Sequence, residues 1–190
     1  MKLAAALTGV VLLLCGVVGS AGAEVGRWSV VRDQSSITMS VRAAGLTQTG
    51  RFSTWSGDIR FDPETPRTAQ VAIEVQAASL TMRQQTMTQR ATGPGFLDAA
   101  HFPSIRFRLR SLEPVLAGRY MARADVTVKE RTRPVEFPVD LSLSNGVARM
   151  TGGFVLDRAA YGIGSGGGLN SLIGRDVRVE VALATRQVGS

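Results

Sequence analysis

Across its length the chain alternates apolar and polar residues so regularly that little except a β-sheet can accommodate it. The runs are Ile37–Arg42, Asp58–Phe61, Val71–Gln76, Ile105–Leu109, Tyr120–Lys129, Val135–Leu143, Val147–Leu156 and Val177–Leu183. A period of two sends successive side chains to opposite faces, so each run reads as a strand with one buried face. Eight such strands punctuated by glycine, proline, asparagine and aspartate predict an all-β antiparallel barrel or sandwich. Ser144-Asn145-Gly146 marks a hairpin between two runs. Asp62-Pro63-Glu64-Thr65-Pro66 reads as a loop, and Pro114 and Gly118 bracket a further turn. Residues 81–103 break the pattern. They predict a short helix over Met82–Ala91, stopped by Gly93-Pro94-Gly95, within a crossover long enough to cover or serve a site.

The apolar parity of these runs converges on one interior that carries almost no charge. An eight-stranded barrel is just wide enough to be filled by its own side chains or to hold one slender ligand, and the pattern leaves both outcomes open. The strand residues expected to face such a ligand include Met39, Val41, Phe61, Ile73, Phe107, Val126, Phe137 and Phe154. Phe52, Trp55, Phe96, Phe102, Tyr161 and Ile163, in loops or at strand ends, serve either as core plugs or as the lining of a mouth.

Lys2 precedes an uncharged apolar run that ends in Ala21-Gly22-Ala23, the layout of a secretory signal peptide. Cleavage after Ala23 is expected, leaving residues 24–190 as one domain with periplasmic localisation, or secretion as the second choice. A lipoprotein signal at Cys15 is disfavoured by the bulky Leu14 before it. Cys15 is the single cysteine, so the mature part carries no disulfide. The net charge is +7, and Lys2 and Lys129 are the two lysines among 22 basic residues. The arginines are scattered, and Arg106, Arg108 and Arg110 at alternate positions point to one solvated face. That distribution disfavours nucleic acid, which calls for a concentrated basic stripe.

Catalytic and metal-binding sets are missing. His101 is the one histidine and builds neither a metal site nor a nucleophile relay by itself. Gly162-Ile163-Gly164-Ser165-Gly166-Gly167 matches a dinucleotide fingerprint in letters, but that motif requires a parallel strand before it and a helix after it. It reads as a loop at a barrel rim. Arg158 shares parity with Phe154 and Leu156, which places it inward or at the rim. There it either pairs with an acidic headgroup such as a diphosphate or forms an ion pair with Asp157.

Five segments, in order, resemble the YceI-like family of secreted bacterial proteins. They are Trp28–Val41, Thr49–Glu64 with its Gly-Arg-Phe and Gly-Asp-Ile-Arg-Phe-Asp-Pro pieces, and Gly93–Phe107, which holds an acidic turn and Phe-Pro. Ala124–Val139 with Thr-Arg-Pro-Val and Leu156–Gly164 with Arg-Ala-Ala-Tyr-Gly-Ile-Gly complete the set. The resemblance implies an extended, lipocalin-like eight-stranded antiparallel barrel that binds polyisoprenoid or other long-chain amphiphiles and is associated with periplasmic stress responses. Two departures stand out. Glu130-Arg131-Thr132-Arg133-Pro134 lacks the family's usual glycine, which predicts a turn of different shape, and in the crossover Met87-Thr88 and Ala91 stand where the family commonly has Arg-Asp followed by Leu.

The expected function is therefore a non-enzymatic carrier without cofactor or metal. The partner is an isoprenoid or other long-chain lipid, held by the residues named above with Arg158 at its headgroup. Nucleic acid and a membrane span are not expected, and a homodimer is left open. The alternative is a barrel plugged by its own side chains that acts through its basic surface.

Overall fold

The structure, a computed structural model, describes residues 26–166 and 168–188, with the backbone alone at Leu169. The expected signal peptide and its cleavage point lie outside the described residues. Eleven strands run β1 (Arg27–Val30), β2 (Ser36–Ala43), β3 (Leu46–Phe52), β4 (Trp55–Arg60), β5 (Gln70–Gln76) and β6 (Leu80–Met82), then, after the helix α1 (Gln85–Thr92), β7 (Ser104–Leu116), β8 (Arg119–Val128), β9 (Arg131–Ser144), β10 (Val147–Asp157) and β11 (Ile173–Gln187). All pairings are antiparallel.

The eleven segments make an eight-stranded closed barrel because three strands are each interrupted once. A tight turn at Arg32–Gln34 divides β1 from β2, and both lie along β11. Ser53-Thr54 divides β3 from β4, and a turn at Ala77–Ser79 divides β5 from β6. One end of the barrel closes through β1–β4–β5–β7–β8–β9–β10–β11 and back to β1. At the other end pairing runs β11–β2–β3–β6 and stops. There the chain parts from β7 after the Gln76–Ser104 rung, where the Ala77 N–H also donates to the Pro103 carbonyl at 2.8 Å. Residues 78–102 form the crossover, and α1 packs against β6 to cover the gap.

Turn chemistry explains the long meander from β7 to β11. Asn145 and Gly146 (φ 52° and 70°) form the hairpin that the sequence predicts, with both central residues left-handed. Lys129 and Glu130 (φ 49° and 62°) form the same kind of two-residue turn without glycine. At Glu130–Pro134 the turn is a two-residue loop, with Val128 paired to Arg131 across it. Lys129 and Glu130 bear the left-handed backbone there, at about 1–2 kcal/mol per residue.

Three further expectations are corrected. Met82 ends β6, so the helix begins at Gln85. Pro114 lies inside β7 beside a register shift rather than in the turn. β1, β3 and β6 appear where no alternating run was visible, because β3 is mostly polar (Thr47-Gln48-Thr49-Gly50-Arg51) and the others are short. A bulge between Leu109 and Ser111 also switches parity, so that Leu112 rather than residue 111 turns inward.

Candidate functional site

The inward side chains of β2, β5, β7–β11 and α1 leave a cavity in the crossover half of the barrel. Its volume is about 210 Å³. Its walls come from alternate residues of each strand, as period two requires: Ile37, Met39 and Val41 of β2, Ile73 and Val75 of β5, Val126 and Val128 of β8, and Met150, Gly152, Phe154 and Leu156 of β10. β11 adds Val177, Val179 and Val181. The crossover forms its cover through Met82, Met87, Arg90, Ala91, Phe96 and Leu97. Gln48, Arg90 and Arg158 are the polar residues of this lining.

A second, smaller apolar cavity of about 70 Å³ lies toward the other end, above Trp28, Phe61, Ala122, Ala148 and Leu183. The Trp28 indole N–H donates to the Phe61 carbonyl at 2.8 Å, which satisfies its one polar group in the floor. Phe107, Phe137 and Met150 border both cavities. Phe154 joins them at the narrow waist. Its ring centroid lies 4.9 Å from that of Phe137 and 6.4 Å from that of Phe107, and Phe107 lies 6.2 Å from Phe137.

Arg158 follows β10 and is 8% exposed. Its guanidinium faces the cavity, but its donors are all engaged. Nε donates to the Gly174 carbonyl at 2.9 Å. Nη1 donates to those of Ile163 and Gly164 at 2.8 Å each, and Nη2 to those of Asn170 (3.0 Å) and Ile173 (2.7 Å). A guanidinium has five N–H groups, and five carbonyls take them. Arg158 therefore stitches the 163–174 loop to the end of β10 and has no donor left for a headgroup. Nor does it pair with Asp157. That carboxylate binds Arg175 at 2.5 Å and accepts from the Ala159 N–H at 2.9 Å, and these bonds hold its pKa below the ordinary value.

The polar group at the cavity opening is Arg90. It is exposed, donates to the Asn170 side-chain oxygen at 2.7 Å, and lies 5.5 Å from the Phe96 ring centroid. It thus bridges α1 to the loop that Arg158 anchors. Tyr161 is 2% exposed and borders the cavity, with its hydroxyl 3.5 Å from the Val126 carbonyl. Burial pushes its pKa up to about 12.

The residues expected to line a ligand site divide clearly. Met39, Val41, Phe52, Ile73, Phe96, Phe107, Val126, Phe137, Phe154, Tyr161 and Ile163 surround the larger cavity. Phe61 belongs to the smaller one. Trp55 and Phe102 reach neither. Trp55 is core under the Arg32 guanidinium, 5.3 Å from its ring centroid, and Phe102 carries the Lys129 ammonium at 5.6 Å. The sequence reading missed Met150 and Gly152, although they share parity with Phe154. It also missed Met87, Arg90 and Ala91, whose three- and four-residue spacing was the available helical signal.

Other features stay apart from the cavity. His101 is exposed and sits 2.8 Å from Asp98 within one turn. The glycine-rich stretch lies between two tight turns, Arg158–Tyr161 and Gly168–Leu172, with no α-helix following, and Gly167 is outside the described residues. Arg106, Arg108 and Arg110 are exposed on the outer face, where Arg110 pairs with Asp125. Among the described residues no group of three or more His, Cys, Asp or Glu side chains gathers, and no helix is long and apolar enough to cross a membrane.

Comparison with known proteins follows this geometry. UPF0312 proteins of Shewanella oneidensis and Pseudomonas fluorescens are 28% identical over 102 residues and 27% over 88. The aligned part spans about half the length of each relative, 53% and 46%. Among solved structures, BcnA of Burkholderia cenocepacia superposes with a TM-score of 0.78 at 19% identity, covering 82% of this chain and 99% of that one. A polyisoprenoid-binding domain from Saccharophagus degradans gives 0.69 at 14% identity, covering 86% and 99%. The YCEI protein of Campylobacter jejuni gives 0.63 at 14%, covering 74% and 85%. The profile of the YceI-like domain matches residues 28–185, from the floor tryptophan to the last rungs of β11, and the chain belongs to that family.

Proposed function

We propose that the chain is a binding protein, without catalytic activity, for a long-chain amphiphile of the isoprenoid or fatty-amide type, and that it acts in the periplasm in transport, storage or protection under stress. The observation that carries this reading is the unfilled apolar cavity of about 210 Å³ between the strands and α1. Burying one methylene contributes about 0.8 kcal/mol, so each isoprene unit adds roughly 3–4 kcal/mol before ordering costs. A tail of a few units needs no hydrogen bond along its length. The polar head lies at the opening beside Arg90 and Gln48, since Arg158 is committed to the loop carbonyls. The fold shared with the Saccharophagus degradans domain, which is described as polyisoprenoid-binding, supports the same ligand class.

Native mass spectrometry of delipidated protein, titrated with isoprenoid alcohols and fatty amides, tests this. The expected result is a one-to-one adduct and a raised melting temperature. Absence of any adduct, together with salt-sensitive association with polyanions, would favour a barrel that works through its basic exterior instead.

A further inference from the structure

The lumen is divided, and the division has a small number of movable parts. Phe137 lies across it, flanked by small residues on both neighbouring strands. Ala122 is its cross-strand partner on β8. On β10, a Cβ built at Gly152 would come within 3.1 Å of the Phe137 ring. Glycine at 152 therefore leaves the space that lets this ring extend over the lumen, where Phe154 and Phe107 brace it. Beneath it the smaller cavity is walled by apolar residues such as Leu109, Val139, Leu141 and Leu183. An apolar void of this kind loses packing contacts and gives water nothing to bind. It adds depth that only a hydrocarbon can use.

We propose that Phe137 sets the length of hydrocarbon tail the lumen accepts, an inference that rests on the lipid-binding reading above. The tail descends from the opening by Arg90, fills the larger cavity and stops against the Phe137 ring. The smaller cavity is the added depth that becomes available when the ring is cut back. Phe137 and Leu141 are four residues apart on β9. At about 3.3 Å per residue and a strand tilt near 40°, this corresponds to roughly 10 Å, or about two isoprene units.

The test uses the delipidated chain and linear isoprenoid alcohols of increasing length: geraniol, farnesol, geranylgeraniol and octaprenol. For the wild type, affinity is expected to rise with length and then level off. Phe137→Leu is expected to move that plateau about two isoprene units outward, with at least tenfold tighter binding of octaprenol. Ala148→Leu, which fills the smaller cavity from its floor and away from the Phe137 ring, leaves wild-type binding unchanged but returns the Phe137→Leu plateau to the wild-type length. If Phe137→Leu has the wild-type profile, or if Ala148→Leu alone abolishes long-chain binding, Phe137 is not the stop and the lipid reading stands without it. If no alcohol binds either protein, the lipid reading itself falls and this inference with it.

Discussion

Replacing Arg158 by methionine removes the one side chain that answers five backbone carbonyls, those of Ile163, Gly164, Asn170, Ile173 and Gly174. Methionine keeps the length and apolar stem, so lost packing is small. A hydrogen bond to a charged group contributes about 1.5–3 kcal/mol, and a simple sum over five would rival the whole stability of a typical domain. The loop lies near the surface and can open to water, so the expected loss is about 4–6 kcal/mol. For a domain of this size that is a fall in Tm of roughly 10–20 °C. Arg158→Lys offers three donors from a single point and is expected to recover about half. Because the acceptors are dipoles and not carboxylates, the loss is expected to be equal in low and high salt. Urea unfolding of the three proteins at two ionic strengths measures it. A loss below about 1 kcal/mol for methionine, or full rescue by lysine, would refute the claim that this fork of donors holds the loop.

Two other outcomes are expected. Tyr161 has its pKa raised by burial from the ordinary 10.0 to about 12, so its contribution to stability is complete below pH 10 and is lost as pH rises toward 12. Urea midpoints across that range are expected to fall less steeply for Tyr161→Phe than for the wild type. Glu130→Gly relieves a left-handed backbone (φ 62°) at the β8–β9 turn and, after the extra entropy of an unfolded glycine, is expected to stabilise the protein by about 0.5–1 kcal/mol in chemical denaturation.

The barrel was legible in the sequence because its physical cause is local. Wherever a strand has one dry and one wet face, parity shows it, as in Val71–Gln76 or Val177–Leu183. It failed where locality fails. β3 pairs through backbone groups while its side chains stay polar, so Thr47–Arg51 carry no signal of a strand. The bulge at Leu109–Ser111 inserts one residue, and the parity count carries no mark of it. Most of the cavity lining followed from alternation, including Met39, Ile73, Val126 and Phe154. Parity left Arg158 inward or at the rim, and its role depends on carbonyls brought back by the chain 5 to 16 residues later. No spacing rule reports such a return. Trp55 and Phe102 were placed by their aromatic character, which does not distinguish a core plug or a cation platform from a ligand wall.

The crossover parts from β7 and returns to it at a single rung, with Gln76 facing Ser104 and Ala77 bonded to Pro103. Its two feet therefore stand side by side whatever lies between them. So long as β6 keeps its three rungs to β3, lengthening, shortening or exchanging residues 83–102 asks nothing of any other strand pairing in the wall. Cargo preference at the opening can thus be rewritten as a cassette, while the container beneath keeps its register.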